Sequence, residues 1–185
     1  MVPTRQLPAF VALLRGINVG GHKRVPMAAL RALCGELGWH EVATYIQSGN
    51  VVFHERDRPD ALAATLSAAI EGRFGFPVPV IVCSGKDWLR FAEDSPFPDA
   101  EAERPNLLHL GLAAVAPRKT APADLLPYCT AGERVAVRGA ALWIDYRDGV
   151  ARSKLTPAVL DRVVGAPVTA RNWKTVRAIA AMVRG

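Results

Sequence analysis

The sequence predicts an α/β (α+β) protein made of two β-α-β-β-α-β-type halves, the second lacking or shortening its last strand. Three observations carry this. Short apolar or β-rich runs alternate with segments of helical period along the 185 residues, the pattern of mixed structure. The order read from Leu7 to Cys83 partly recurs from Asn106 onward. Between the two runs lies a breaker, Ser95-Pro96-Phe97-Pro98, and an acidic stretch, Asp99 to Glu103, read as a solvated connector. The expected organisation is a first lobe over 1–94, a linker over 95–104, and a second lobe over 105–185 that ends in a helix.

Each element has a local reason. Leu7 to Leu14 is apolar without alternation, so it reads as a strand buried on both faces. Pro26 suits a first helical turn, Met27, Leu30, Leu33 and Leu37 follow at helical spacing, and Gly38 is a stop. Val42 to Gln47 and Val51 to His54 read as strands joined by the tight turn Ser48-Gly49-Asn50. Ala61 to Phe74 carries Leu62, Leu66 and Ile70 on one side of a helix, and Pro77 to Cys83 is an entering strand. The order is the split βαβ of a ferredoxin-like fold. A helix over Lys86 to Glu93 leads into the breaker.

The second half reads as a strand over Asn106 to Ala114, a short helix over Ala121 to Tyr128, and a hairpin around Gly139 made by Arg134 to Arg138 and Ala141 to Tyr146. Helices follow over Thr156 to Val164 and Arg171 to Val183, with Val168-Thr169 as the remnant of a last strand. The two halves share an architecture and no residue-level repeat.

Composition narrows the class. No run of about 18 apolar residues exists, so no membrane span or membrane partner is expected. Cys34, Cys83 and Cys129 are odd in number, far apart and form no C-x-x-C pair, which predicts reduced core thiols and a cytoplasmic location. The formal charge of +6 is uneven. Residues 1–35 hold Arg5, Arg15, Lys23, Arg24 and Arg31 and no acid; residues 162–185 hold Arg162, Arg171, Lys174, Arg177 and Arg184 and no acid. If the ends meet, they make one positive field that attracts anions.

Three segments carry candidate chemistry. The first is Arg15-Gly16-Ile17-Asn18-Val19-Gly20-Gly21-His22-Lys23-Arg24, between a strand and a helix start. It is neither a dinucleotide turn, which needs Gly where Asn18 stands, nor a P-loop, which needs Lys where His22 stands. A flexible glycine loop can still expose backbone N–H groups beside the charges of Arg15, Lys23 and Arg24. The second is Tyr45-Ile46-Gln47-Ser48-Gly49-Asn50, whose Gly and Asn suit positive φ; turn chemistry alone also explains it. The third joins Arg152-Ser153-Lys154-Leu155-Thr156 to Thr169-Ala170-Arg171-Asn172-Trp173-Lys174-Thr175. Thr156 is placed to cap the helix that Pro157 opens, and Thr169 or Asn172 to cap the last one. Caps leave Lys154 and Arg171 unexplained, and a helix start with nearby bases suits an anion.

Other signals are weaker. His22, His40, His54 and His109 show no metal spacing and read as surface or loop residues. Asp145 and Asp148 read as the polar end of a hairpin. Ser48 is a nucleophile only beside a base that the sequence does not reveal. No catalytic residue, metal or cofactor is assigned.

Taken together, Ala12-Leu13-Leu14-Arg15-Gly16-Ile17-Asn18-Val19-Gly20-Gly21, Val25-Pro26-Met27, Tyr45-Ile46-Gln47-Ser48-Gly49-Asn50-Val51, Ser153-Lys154-Leu155-Thr156 and Thr169-Ala170-Arg171-Asn172-Trp173-Lys174-Thr175-Val176 resemble the bacterial "domain of unknown function 1697" family. The five motifs occur in order and span essentially the whole chain. Lys23-Arg24 makes the end of the first loop more basic than the family pattern. The resemblance implies a two-lobed α/β protein from a bacterium and brings no activity, substrate or catalytic residue with it.

Three functions of different classes fit. The favoured one is binding, with or without turnover, of a small anionic ligand such as a nucleotide or phosphorylated metabolite at a basic site between the lobes, made by Arg15, Asn18, Lys23, Ser48, Asn50, Lys154, Arg171 and Asn172. The second is nucleic-acid binding, for which Phe53 and Tyr45 are the available stacking aromatics. The third is an interaction module or homodimer that buries the non-alternating strands.

Overall fold

The computed structural model describes residues 7–185; Arg5, counted above among the N-terminal bases, lies outside the described residues. The chain divides into two compact units, one holding the chain through Leu89 together with Ile179–Gly185, the other Arg90–Ala178.

The first unit contains β1 (Ala9–Leu14), α1 (Met27–Glu36), β2 (His40–Tyr45), β3 (Asn50–His54), α2 (Pro59–Phe74) and β4 (Val80–Ser84), and α3 (Gly85–Phe91) leads out of it. Its sheet has the order β2-β3-β1-β4 with antiparallel neighbours throughout. That is the ferredoxin-like order, with the most apolar strand at the centre. Phe10 through Leu14 are all buried, the last four at 1% exposure or less, as an unalternating run requires. Phe10, Ala12 and Leu14 share a core with Val51, Phe53, Val80 and Val82, and with Leu30, Leu33, Leu62, Leu66 and Ile70 from α1 and α2. Each large side chain so buried contributes on the order of 1.5–3 kcal/mol.

Within this core Trp39 lies flat on Phe53, ring centroids 3.9 Å apart, and Phe10 packs on the same ring at 5.8 Å. Phe53 is fully buried and cannot stack on a base, which removes one of the two aromatics offered for nucleic-acid binding. The second predicted strand ends early. Its pairing stops at Tyr45, opposite Asn50, because Ile46 turns to φ +48° and Gly49 to φ +76°. Ile46 and Gln47 therefore belong to the turn.

The second unit contains α4 (Pro98–Glu103), β5 (Leu108–Leu112), α5 (Ala121–Leu125), β6 (Arg134–Arg138), β7 (Ala141–Asp145), α6 (Pro157–Val164), β8 (Thr169–Asn172) and the start of α7 (Trp173–Arg184). Its sheet order, β6-β7-β5-β8, repeats the first topology. The last strand is shortened to four residues, and Arg171 sits on it opposite Leu110, two residues before the helix it was expected to start. The stretch expected as a solvated connector is a helical turn. Pro98 opens it, Asp99 and Glu101 suit its N-terminal turn, and Ala100 is fully buried. Two of the histidines read as surface or loop residues stand in the strands expected over Val51 to His54 and Asn106 to Ala114. His54 ends β3, and His109 lies within β5 with its ring edge-on to Tyr146 at 5.0 Å. Among the described residues no helix is long and apolar enough to cross a membrane.

Candidate functional site

Five of the eight candidate residues come together at one end of the first sheet, where β1 runs out, β2 turns into β3 and β4 begins. The organiser is Asn18. With φ +56°, a conformation Asn tolerates better than most residues, it spans the first loop from inside. Its Oδ1 accepts from the Val25 N–H at 2.9 Å, while its Nδ2 donates to the Val25 carbonyl at 2.9 Å and to the Gln47 carbonyl at 2.8 Å. Its backbone N–H donates to the Lys23 carbonyl at 3.1 Å. The first loop is thus a closed arm, and one side chain ties it to the β2–β3 turn.

The arm's tip is the four-residue turn Val19–His22, closed by the His22 N–H on the Val19 carbonyl at 3.1 Å. Both central glycines, Gly20 and Gly21, have positive φ, as a primed turn demands. The glycines thus shape the arm. Arg15 leaves β1 with its N–H on the Pro79 carbonyl at 3.0 Å. Lys23 Nζ donates to the Pro77 carbonyl at 3.0 Å, a neutral acceptor that leaves the ammonium charge in place. Lys23 and Arg24 are exposed.

The β2–β3 turn is also braced from within. Asn50 is 1% exposed, and its Nδ2 donates to the Tyr45 carbonyl at 2.9 Å and to Ser48 Oγ at 3.0 Å. Gly49 passes so close beneath the arm that its carbonyl accepts the Leu14 N–H at 2.8 Å. Asn18 and Asn50 are therefore framework, and Arg15, Lys23 and Ser48 are what the framework carries. Asn18→Ala is expected to remove about 2 kcal/mol of stability in urea denaturation, from three lost bonds and a less tolerant residue at positive φ. It should also raise hydrogen exchange at Val25 more than at β5.

The other three candidates belong to the second unit. Asn172 caps α7, its Oδ1 accepting the Thr175 N–H at 3.0 Å. Thr156 caps α6 by accepting from Val159. In the segment before it, Ser153 Oγ donates to the buried Glu133 carboxylate and accepts the Leu155 N–H at 3.1 Å, and Leu155 is core. Of Ser153-Lys154-Leu155-Thr156, only the exposed Lys154 is not committed to holding the fold. Arg171 Nη1 donates to the Ala170 carbonyl at 2.9 Å. Burial pushes its guanidinium down to about 10, so it stays charged at neutral pH.

Nucleophilic thiols are excluded by their surroundings. Burial pushes Cys34 and Cys83 up to about 12, the latter also under the charge of Asp87, which leaves both as thiols at neutral pH. Among the described residues no group of three or more His, Cys, Asp or Glu is placed to hold a metal ion.

One charge network was invisible in the sequence. Asp145, read there as a hairpin end, is fully buried. Arg104 grips it through Nε at 3.0 Å and Nη2 at 2.8 Å. Arg134 reaches its Oδ2 through Nε at 3.0 Å and Nη2 at 2.8 Å. Both arginines also bind Asp99 on α4, at 2.6 and 2.7 Å. Arg134 lies over the Phe97 ring at 4.5 Å. The partners stand 41 and 11 residues from Asp145 in sequence, a separation that no local pattern reports. Arg104 also pairs with Glu103 at 2.9 Å, so three acids against two arginines make this a lock on the fold rather than an anion site.

Comparison with known proteins follows the same lines. A family model described as "Protein of unknown function (DUF1697)" matches residues 7–143. The solved structure of the conserved bacterial protein SP0830 from Streptococcus pneumoniae is similar with a TM-score of 0.67 at 20% identity, covering 96% of this chain and 99% of that one. That likeness concerns the fold alone. No curated protein matches.

Proposed function

Because the chain belongs to the DUF1697 family, whose description assigns no activity, we propose a function from its own residues: binding of a small anionic ligand, a nucleotide or phosphorylated metabolite, at the end of the first sheet. The observation that carries this is the Asn18 tie between the arm and the β2–β3 turn. It holds Arg15, Lys23 and Ser48 on one preorganised scaffold, and the two bases come from a stretch, residues 1–35, that contains no acid. A fixed scaffold lowers the ordering cost of binding, and a positive local field raises the local anion concentration. The setting proposed is a bacterial cytoplasm, where the three free cysteines stay reduced.

The test is a thermal-shift series with nucleotides, sugar phosphates and short oligonucleotides on the wild type, Arg15→Ala, Lys23→Ala and Arg171→Ala. A ligand at a hundredfold excess over its Kd stabilises by about 2.7 kcal/mol, which in a chain of this size raises Tm by roughly 5–10 °C. Loss of the shift in Arg15→Ala and Lys23→Ala places the ligand on the arm. Loss in Arg171→Ala instead places it on the second unit. Absence of any shift from every anion defeats the reading and leaves an interaction module.

A further inference from the structure

Two exposed apolar side chains flank the bond that organises the basic arm. Val19, next to Asn18, is 68% exposed, and Ile46, next to Gln47, is 51% exposed. The Asn18 Nδ2 to Gln47 carbonyl bond at 2.8 Å brings the two segments side by side. Ile46 is the unusual one. It holds φ +48°, a conformation that β-branched residues adopt least readily of all. Asn or Gly would hold this turn without strain. Half-exposed, Ile46 gains little packing to offset that strain. Strain retained at an exposed position is a mark of binding sites.

We infer that Val19 and Ile46 form the apolar half of the proposed site, and that its ligand therefore carries a flat, weakly polar ring beside its phosphate: a nucleobase. This rests on the anion-binding reading and narrows it. The chemistry is a match of halves. Lys23 and Arg24 stand on the arm that bears Val19, and Arg15 at its root, while Ser48 stands two residues from Ile46. A phosphate meets the bases and a ring face lies on the aliphatic pair, whose removal from water contributes to affinity without hydrogen-bond readout. A sugar phosphate uses only the first half. A mononucleotide and the end of a single-stranded nucleic acid use both.

The experiment measures binding of inorganic pyrophosphate, adenosine 5′-monophosphate and a thymidine hexanucleotide by calorimetry, with the wild type and Ile46→Asn. The variant suits positive φ and removes the apolar surface. Expected are an unchanged or higher Tm, pyrophosphate affinity within twofold of wild type, and affinity for the monophosphate about five- to tenfold weaker. Hexanucleotide affinity far above that of the monophosphate, falling steeply with salt, identifies nucleic acid as the source of the base; equal affinity identifies a free nucleotide. Pyrophosphate binding with the monophosphate affinity unaltered by Ile46→Asn overturns the inference while leaving the anion site standing. A lower Tm overturns it by showing that Ile46 is held by packing. Sedimentation in which the wild type is a dimer and the variant a monomer overturns it in favour of a second copy of the chain. If none of the three probes binds the wild type, both readings fail together.

Discussion

Gly49→Ala loses roughly 3 kcal/mol of stability in urea denaturation and lowers Tm by about 6–12 °C. Two effects add. The residue holds φ +76°, which costs any residue with a Cβ on the order of 1–2 kcal/mol. A Cβ built there also stands 2.7 Å from Leu14 Cβ and 2.7 Å from Ile17 Cδ1. Ile17 can rotate; Leu14 Cβ is fixed to the end of the central strand and cannot. The collision has to be relieved by moving the turn from β1, at about 1–3 kcal/mol. The Leu14 N–H bond to the Gly49 carbonyl is stretched in the process. Against a total stability of 5–15 kcal/mol the loss is large, and the Tm range follows from 2–4 °C per kcal/mol for a chain of this length.

The control is Gly16→Ala. Gly16 also has positive φ, +67°, but nothing lies within 4 Å of its added Cβ, so only the conformational cost of about 1 kcal/mol remains. Equal losses in the two variants would show that the close approach at Gly49 is relieved freely. If so, the turn is not pressed against β1 as described.

The same turn shows where sequence reasoning reaches and where it stops. The run Phe10–Leu14 announced a strand buried on both faces because burial acts residue by residue along it. Gly38 and Thr156 announced helix ends because capping is local chemistry. By the same logic Ser48-Gly49-Asn50 announced a turn. What locality cannot give is the reach of a side chain across the fold. Asn18 and Gln47 are 29 residues apart, and nothing in either segment reports that one holds the other. The acidic stretch from Asp99 to Glu103 looked solvated because its composition is charged. Asp99 and Glu103 are exposed, but the stretch is a helical turn that Pro98 opens, and Asp99 on it pairs with Arg104 at the turn's own end and with Arg134 from β6. Arg171 was put on a helix because the four-residue strand β8 is too short to show alternation, and its identity as a strand lies in its pairing with β5. Thr156 was read as one cap and Thr169 or Asn172 as the other; the caps are Thr156 and Asn172.

Asp145→Asn is expected to cost about 3 kcal/mol at neutral pH, the second large effect. Removing one member of a buried, hydrogen-bonded ion pair leaves its partner's charge uncompensated and typically costs 3–5 kcal/mol. Here the lower end applies, since Arg134 is 36% exposed on its side chain and Asp99 remains as a counter-charge. The pH dependence separates charge from shape. Burial alone would raise the Asp145 carboxyl, but hydrogen bonds from Arg104 and Arg134 outweigh it and hold it below the usual range. Bonds from Arg134 and Arg104 bring Asp99 to about 2. Both folded-state values therefore lie below those of the unfolded chain, near 4. The stability they contribute is complete above about pH 4 and is lost as pH falls through the folded values toward 2. The gap in stability between wild type and Asp145→Asn should thus be full from pH 7 to 5 and shrink toward pH 2. Arg104→Lys, which keeps the charge and loses the two-pronged grip, should fall between them at neutral pH. A gap that stays constant down to pH 2 would mean that the asparagine disturbs packing alone, and that the two arginines hold the sheet to α4 without help from the ionised carboxylate.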